Sequence, residues 1–195
     1  MRAERKKCFK FGSWIRIISP RSLQKRKDLM VIRWLLLFQY ALNINNHGDM
    51  KIYMDVCCLC RPFDDRTQDR IRIESEAVLT ILSRCSEDWT LVGSDAIDFE
   101  LSAVMDPKKR TDAFILASIA KEKIETDRGI IDRAIELGRL GFRPIDSAHI
   151  SYAERAADIM FTVDDDILRV ARIKRSQVSI EIENPARWLL DVFQG

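Results

Sequence analysis

The 195-residue sequence lacks the short motifs that identify several common enzyme classes. It contains neither G-x-x-x-x-G-K-[ST] nor G-x-G-x-x-G, so nothing in it supports nucleotide binding by a glycine-rich loop. It also lacks the G-x-S-x-G nucleophile elbow. A phosphatase that uses its first aspartate as nucleophile usually has a second aspartate two residues later, whereas the residue two after Asp55 is a cysteine. These three enzyme classes therefore have no support in the sequence.

Histidine and cysteine are scarce, which limits the possible metal and disulfide sites. The histidines are His47 and His149, and the 5 cysteines are at positions 8, 57, 58, 60 and 85. This odd count, without an export signal, favours a reducing cytoplasm over a disulfide framework. A structural zinc site is disfavoured because adjacent cysteines do not readily face one tetrahedral ion. We expect the cysteines after residue 55 to be small buried apolar residues.

The sequence also has no apolar run long enough to span a membrane. The run "WLLLFQYAL" is well short of the roughly 20 residues that a span requires. The basic segment before it is not followed by a small-residue cleavage site, as a signal peptide would be. Residues 1–49 hold 11 Lys/Arg and 3 Asp/Glu, whereas residues 50–195 hold 21 and 27.

We expect residues 1–49 to be a basic N-terminal extension. It is either a poorly ordered tail or an upstream addition to a chain that starts at Met50, which opens a predicted strand. A basic amphipathic segment that lies on a membrane or on RNA is the alternative.

Strand and helix patterns alternate in residues 50–195. Apolar runs predict four strands, at 51–55, 90–94, 159–163 and 178–182. Helical spacing and capping residues predict helices between and after them, at 70–85, 94–105, 106–124, 126–140, about 144–157, after 164 and from 184 onward. Strands separated by helices indicate a parallel sheet. The predicted fold class is α/β, a three-layer α/β/α arrangement with a central, mainly parallel four- to five-stranded sheet.

Acidic residues occur where ligands usually bind in such folds, beyond the carboxyl ends of the strands. Asp55 ends the first strand, and Glu100 lies on the helix after the second. Asp146 opens the helix before the third strand, which Asp164 ends. A lone aspartate after a strand is more often a turn or cap residue, although less so for Asp55 with its apolar neighbours. Glu100 alone would be a surface helix residue and Asp146 an N-cap, so the prediction depends on the whole set.

Four carboxylates in one cleft repel one another, and a divalent cation relieves that repulsion. Carboxylate and water oxygens are the ligands that Mg²⁺ and Mn²⁺ prefer. Such an ion lowers the pKa of bound water and neutralises phosphate oxygens. The set therefore predicts metal-dependent hydrolysis of a phosphodiester.

At these residues the chain resembles the PIN-domain ribonucleases, in particular the VapC-type toxin-like stand-alone proteins. The similarity covers about residues 50–195 and is carried by "IYMDVCCLCRPFDD", "SDAIDFELS", "FRPIDSAHISYAERAADIMFTVDDDILRVA" and "ENPARWLL". It implies a PIN-like nuclease domain, an Mg²⁺- or Mn²⁺-dependent endoribonuclease that acts on RNA. The implied catalytic and metal-binding residues are Asp55, Glu100, Asp146 and Asp164. Thr162 is the implied strand threonine, and Asp165 is an additional ligand or outer-shell contact.

The resemblance has further implications for partners. It implies that the chain forms a homodimer. As one alternative, it implies that the chain is the toxin of a type II toxin–antitoxin pair and has a small antitoxin protein as its partner. His149 lies three residues after Asp146, and we expect it to be packed or hydrogen-bonded rather than a general base.

One position departs from the family pattern. Many members carry Thr-Asn after the first aspartate, whereas this chain has Val56 and Cys57. The missing hydroxyl and amide support the alternative of a catalytically weak or inactive PIN-fold protein that binds RNA or another partner.

The arginines that follow Asp55 are candidate phosphate contacts in a domain that is otherwise acidic. They are Arg61, Arg66, Arg70 and Arg72. The alternative is an ordinary solvated face.

Overall fold

The computed structural model describes the backbone of residues 49–194 and the side chains of residues 49–192. The predicted basic extension thus lies outside the described residues, apart from Asp49. Within the described range, every helix is too short or too polar to cross a bilayer.

A five-stranded, all-parallel sheet forms the centre of the domain. Its strands are β1 (Lys51–Met54), β2 (Thr90–Ser94), β3 (Glu122–Ile124), β4 (Ile159–Phe161) and β5 (Glu181–Glu183). Their order is β3-β2-β1-β4-β5, and each neighbouring pair is parallel. Tyr53 of the central strand pairs with Val92 on one side and Met160 on the other. Because helices connect these strands and cover the sheet, the predicted α/β/α class with four to five strands is confirmed.

Eight helices accompany the sheet in the described residues. They are α1 (Val56–Cys60), α2 (Asp69–Glu87), α3 (Asp95–Ser102), α4 (Pro107–Ala117), α5 (Arg128–Arg139), α6 (Pro144–Ala156), α7 (Asp165–Ile173) and α8 (Pro185–Gln194). Side-chain oxygens cap the N-termini of several of these helices. Ser94 accepts a hydrogen bond from the backbone N–H of Ile97, and Asp106 accepts hydrogen bonds from the backbone N–H groups of Lys108 and Lys109. These bonds satisfy N–H groups that have no partner within the helix.

The central strand is buried on both faces, as expected for a parallel sheet covered by helices. Ile52, Tyr53 and Met54 are fully buried. On one face, Trp188 of α8 packs edge-on against Phe161 of β4, with ring centroids 5.1 Å apart. It also contacts Trp89, at 5.8 Å. These aromatic contacts attach the last helix to the centre of the sheet.

Two local predictions differ from the structure, and a segment for which none was made is a helix. The helix expected over 106–124 ends at Ala117, and residues 122–124 are the edge strand β3. The strand expected at 178–182 lies at 181–183, where it pairs with β4. The cysteine segment after Asp55 is the short helix α1.

Candidate active site at the carboxyl edge of the sheet

Asp55 lies directly after β1 and is only 3% exposed. One carboxylate oxygen, Oδ1, accepts a bond from the backbone N–H of Cys58 (3.0 Å), which caps α1, and another from the Cys57 thiol (2.8 Å). The other oxygen, Oδ2, accepts a bond from the Thr162 hydroxyl at 2.6 Å. Burial raises the pKa of Asp55, and the hydrogen bonds oppose that rise. The carboxylate is therefore held in one orientation in an environment that penalises its charge.

Thr162 connects this acid to a second one. It follows β4 and is fully buried, and its hydroxyl accepts a hydrogen bond from the backbone N–H of Asp164 at 3.1 Å. Asp164 caps α7 through Oδ1, which accepts from the N–H of Asp166 at 2.7 Å. Its other oxygen, Oδ2, is 3.9 Å from an Arg143 guanidinium nitrogen. Since β1 and β4 are parallel neighbours, their carboxyl ends place Asp55 and Asp164 on the same edge of the sheet.

Asp146 lies in the first turn of α6 and is 8% exposed. Burial raises its pKa, and the negative charges of Asp164 and, to a smaller extent, Asp55 raise it further. The positive charge of Arg143 acts in the opposite direction. The structure thus brings Asp55, Asp146 and Asp164 close enough for their charges to interact.

Glu100 is placed differently, at the end of a buried chain of hydrogen bonds. One of its oxygens is 2.6 Å from Nε2 of the buried His149. Nδ1 of that ring is 2.7 Å from the Tyr53 hydroxyl, which is 2.7 Å from Oγ of Ser94. A consistent donor order has Ser94 donating to Tyr53, Tyr53 to a neutral His149, and His149 to the Glu100 carboxylate. Both ring nitrogens of His149 are occupied, as expected for a hydrogen-bonding residue rather than a free base.

The donor set of the three aspartates is compatible with a hard divalent cation. All of its potential ligand atoms are carboxylate oxygens, which suit Mg²⁺ or Mn²⁺. The raised pKa values of Asp55 and Asp146 reflect a cost of ionisation that such an ion would offset.

The spacing of the acids is looser than that of a closed metal site. Among the described residues, the group of three potential ligands within 4.8 Å of one another is Asp55, Cys57 and Cys58. Asp146, Asp164 and Glu100 are outside that group. Rotation of their side chains would therefore be needed to close the acids around one ion.

The arginines expected to contact phosphates all have acidic partners. Their ion pairs are Arg61 with Asp64 and Glu74, Arg66 with Glu76, Arg70 with Glu74 and Asp165, and Arg72 with Asp69. Asp165, the suggested additional ligand, accepts two bonds of 2.7 Å from Arg70. Arg143, which the sequence did not single out, is likewise ion-paired, with Asp166 at 2.5 Å, and lies 3.9 Å from Asp164.

Cys57 is the site residue that sequence reasoning assigned to packing alone. It is only partly buried, and its sulfur contacts the site on three sides. The thiol donates to Asp55, the sulfur accepts from the N–H of Val163 at 3.3 Å, and the Thr162 hydroxyl is 3.4 Å away. Its position two residues after the acid was the available signal, because a short helix capped by Asp55 turns that residue back towards the carboxylate.

Comparison with known proteins gave matches to solved structures only. No protein-family model matches the chain, and no curated protein does. The crystal structure of FitAcB from Neisseria gonorrhoeae is similar with a TM-score of 0.47 and 14% identity, over 69% of this chain and 97% of that chain. VapBC2 from Rickettsia felis, bound to a DNA fragment from its promoter, is similar with a TM-score of 0.44 and 16% identity, over 69% of this chain and 98% of that one.

Proposed function

We propose that this chain is a metal-dependent endoribonuclease that hydrolyses RNA phosphodiester bonds with Mg²⁺ or Mn²⁺. The observation that carries the proposal is the convergence of Asp55, Asp146 and Asp164 at one edge of the sheet, where burial raises the pKa of Asp55 and Asp146 and the charge of Asp164 raises that of Asp146 further. A carboxylate group of this kind is stabilised by a divalent cation. RNA as the substrate is inferred from the PIN resemblance of residues 50–195.

Each residue has a distinct proposed role. Asp55, Asp146 and Asp164 hold the ion, which activates water and neutralises phosphate charge. Thr162 fixes the orientation of Asp55 through its 2.6 Å hydrogen bond. Glu100, oriented by His149, completes the site or positions water. Arg143, which is largely exposed beside Asp164, attracts the phosphate backbone of the substrate.

A cleavage assay with matched variants tests the proposal. We expect the chain to cut RNA with Mn²⁺ or Mg²⁺, and EDTA to stop the reaction. Asp55→Asn and Asp146→Asn should reduce cleavage to background because each removes a ligand charge. Asp132→Asn is the control, since Asp132 is an exposed acid paired with Arg128. Cleavage at the wild-type rate by either site variant would show that the residues are wrongly assigned.

A second candidate function is a PIN-fold protein with weak or no catalysis that binds RNA or another partner. It is favoured by the hydrogen bond from the Cys57 thiol to Oδ1 of Asp55, because this bond occupies an oxygen through which Asp55 would bind a metal ion. Titration with Mn²⁺ in a calorimeter separates the two functions. Absence of binding at millimolar ion would favour the inactive protein.

The PIN resemblance extends the proposal to partners. On this basis the chain is a toxin whose activity is blocked by a small antitoxin protein, and it forms a homodimer. A small open reading frame immediately upstream, whose product co-purifies with the chain, is the expected observation. Light scattering of the purified protein measures its oligomeric state.

A further inference from the structure

The first turn of α1 carries a group of potential metal ligands that differ from the acids around it. Asp55 caps the helix, and Cys57 and Cys58 follow within it. One carboxylate oxygen and the two sulfurs all lie within 4.8 Å of one another. The other described cysteines, Cys60 and Cys85, are buried and do not belong to this group.

We infer that Asp55, Cys57 and Cys58 form a binding site for a thiophilic divalent cation of the Zn²⁺ class. In one respect the inference rests on the proposed function and deepens it. Because both kinds of ion would use Asp55, the soft ion would compete with Mg²⁺ or Mn²⁺. Binding through the two sulfurs does not itself depend on nuclease activity.

The distance between the Cys57 sulfur and Asp55 suits tetrahedral zinc after a small movement, and the Cys58 sulfur lies within 4.8 Å of both atoms. Zn–S bonds of about 2.3 Å and Zn–O bonds of about 2.0–2.2 Å place neighbouring ligand atoms roughly 3.5–3.8 Å apart. The Cys57 sulfur is 2.8 Å from Oδ1 of Asp55, so these two atoms need to move apart by about 1 Å. The sequence-based objection to adjacent cysteines is weakened here, because both sulfurs lie close to the same oxygen.

Charge balance also favours binding at this buried position. Without the ion, the group carries one negative charge, on Asp55, beside two neutral thiols. On binding, each ligating thiol gives its proton to solvent, and two thiolates, one carboxylate and one Zn²⁺ again sum to one negative charge. The N–H of Val163, which donates to the Cys57 sulfur, supports the thiolate form. Cys57 is the partly exposed member of the group and gives the ion access.

The same chemistry sets the selectivity. Thiolate sulfur is a soft ligand that Zn²⁺ accepts and that Mg²⁺ disfavours. We therefore expect a reversible site at which the soft ion excludes the hard one.

Calorimetric titration of the full-length chain with Zn²⁺ tests the site directly. We expect Cys57→Ser to weaken Zn²⁺ binding by about 10-fold or more, while Cys85→Ser, a buried cysteine on α2, binds like wild type. Titration with Cd²⁺ should produce near-ultraviolet thiolate-to-metal absorption that Cys57→Ser reduces. Equal Zn²⁺ affinity of wild type and Cys57→Ser, or unchanged Cd²⁺ absorption, would overturn the inference.

A second measurement on the wild type does not depend on whether a variant folds. Zn²⁺ should slow alkylation of Cys57 by iodoacetamide, located by mass spectrometry, whereas Mg²⁺ should leave its rate unchanged. Alkylation at the same rate with and without Zn²⁺ contradicts the site. Mn²⁺ titration of the Zn²⁺-loaded chain then tests the sharing of Asp55, and undiminished Mn²⁺ binding refutes it. Because neither readout uses RNA, a failure of the nuclease proposal is visible separately in the cleavage assay.

Discussion

Single residues at this site serve two partners at once, and Thr162 is the clearest example. Its hydroxyl donates to Asp55 after β1 and accepts from the backbone of Asp164 after β4. The side chain is fully buried, so water cannot replace either hydrogen bond. One hydroxyl group thus connects the side chain of Asp55 to the backbone of Asp164.

Replacement of this hydroxyl is the first prediction. We expect Thr162→Val, which keeps the shape, to lower the free energy of unfolding by about 1–3 kcal/mol because a buried carboxylate oxygen and a buried N–H lose their partner. Mn²⁺ affinity should fall as well. Thr162→Ser retains the hydroxyl and is the control. Urea denaturation and Mn²⁺ calorimetry measure both effects, and equal values for the Val and Ser variants would contradict the bridging role.

Asp146 gives a prediction of the opposite sign. Burial and the charge of Asp164 raise its pKa, so its ionised form costs stability when no cation is bound. We expect Asp146→Asn to raise the free energy of unfolding in EDTA by about 0.5–2 kcal/mol, as often seen when a functional charge is removed. Asp132→Asn, on an exposed face, should change little. A loss of stability in the Asp146 variant would indicate a structural role for the carboxylate.

The positions of Asp55 and Asp164 at one edge of the sheet could be inferred from sequence because they depend on where strands end. Asp55 and Asp164 follow apolar runs, and parallel strands bring such ends together. The role of Cys57 could not be inferred in this way, since it depends on a 2.8 Å contact that forms only when Asp55 caps α1. The series of hydrogen bonds from Ser94 through His149 to Glu100 could not be inferred either, since it joins residues that are far apart in sequence.

At the scale of elements, helix α7 begins at a residue that also belongs to the site. Asp164 accepts hydrogen bonds from the N–H groups of Asp166 and Ile167 through one oxygen, which leaves the other for a ligand. The capping and ligand roles can be separated by substitution, because asparagine caps a helix as well as aspartate does but carries no charge.

This separation is the third prediction. Asp164→Ala should lower the free energy of unfolding by about 0.5–2 kcal/mol through loss of the cap, and Asp164→Asn should stay close to wild type. Both variants should bind Mn²⁺ more weakly than the wild type, since both lack the carboxylate. Denaturant titration and calorimetry provide the two measurements. If Asp164→Asn binds Mn²⁺ and cleaves RNA like wild type, the residue is a cap alone.

The two edge strands, β3 and β5, were the strands that the sequence did not place correctly. β3 has three residues, and its assignment depends on pairing with β2, where Val92 is opposite Glu122. The helical pattern of α4 runs towards it, so local spacing alone extends the helix too far. The predicted start of β5 was about three residues too early for a similar reason, because pairing with β4 determines where this strand begins. The buried strands β1, β2 and β4 carry their own apolar signal and were located from sequence.

For the whole molecule, the site joins parts of the fold that are distant in sequence. Asp55 follows β1, Asp146 opens α6 and Asp164 opens α7, so an ion bound by all three would link the sheet to two helices. Binding to the native state alone stabilises that state, by about 2.7 kcal/mol at an ion concentration of 100 times the Kd. A site that spans the fold should therefore be visible in global unfolding.

Thermal unfolding in EDTA and in saturating Mn²⁺ is the fourth prediction. For a chain of this size, about 2.7 kcal/mol corresponds to a rise in Tm of roughly 5–10 °C. Asp55→Asn and Asp146→Asn should lose most of this rise because each removes a ligand from a different element, whereas Asp132→Asn should retain it. If Mn²⁺ raises the Tm of all four proteins equally, the ion binds at other surface acids. In that case the convergence of Asp55, Asp146 and Asp164 has a role other than holding a metal.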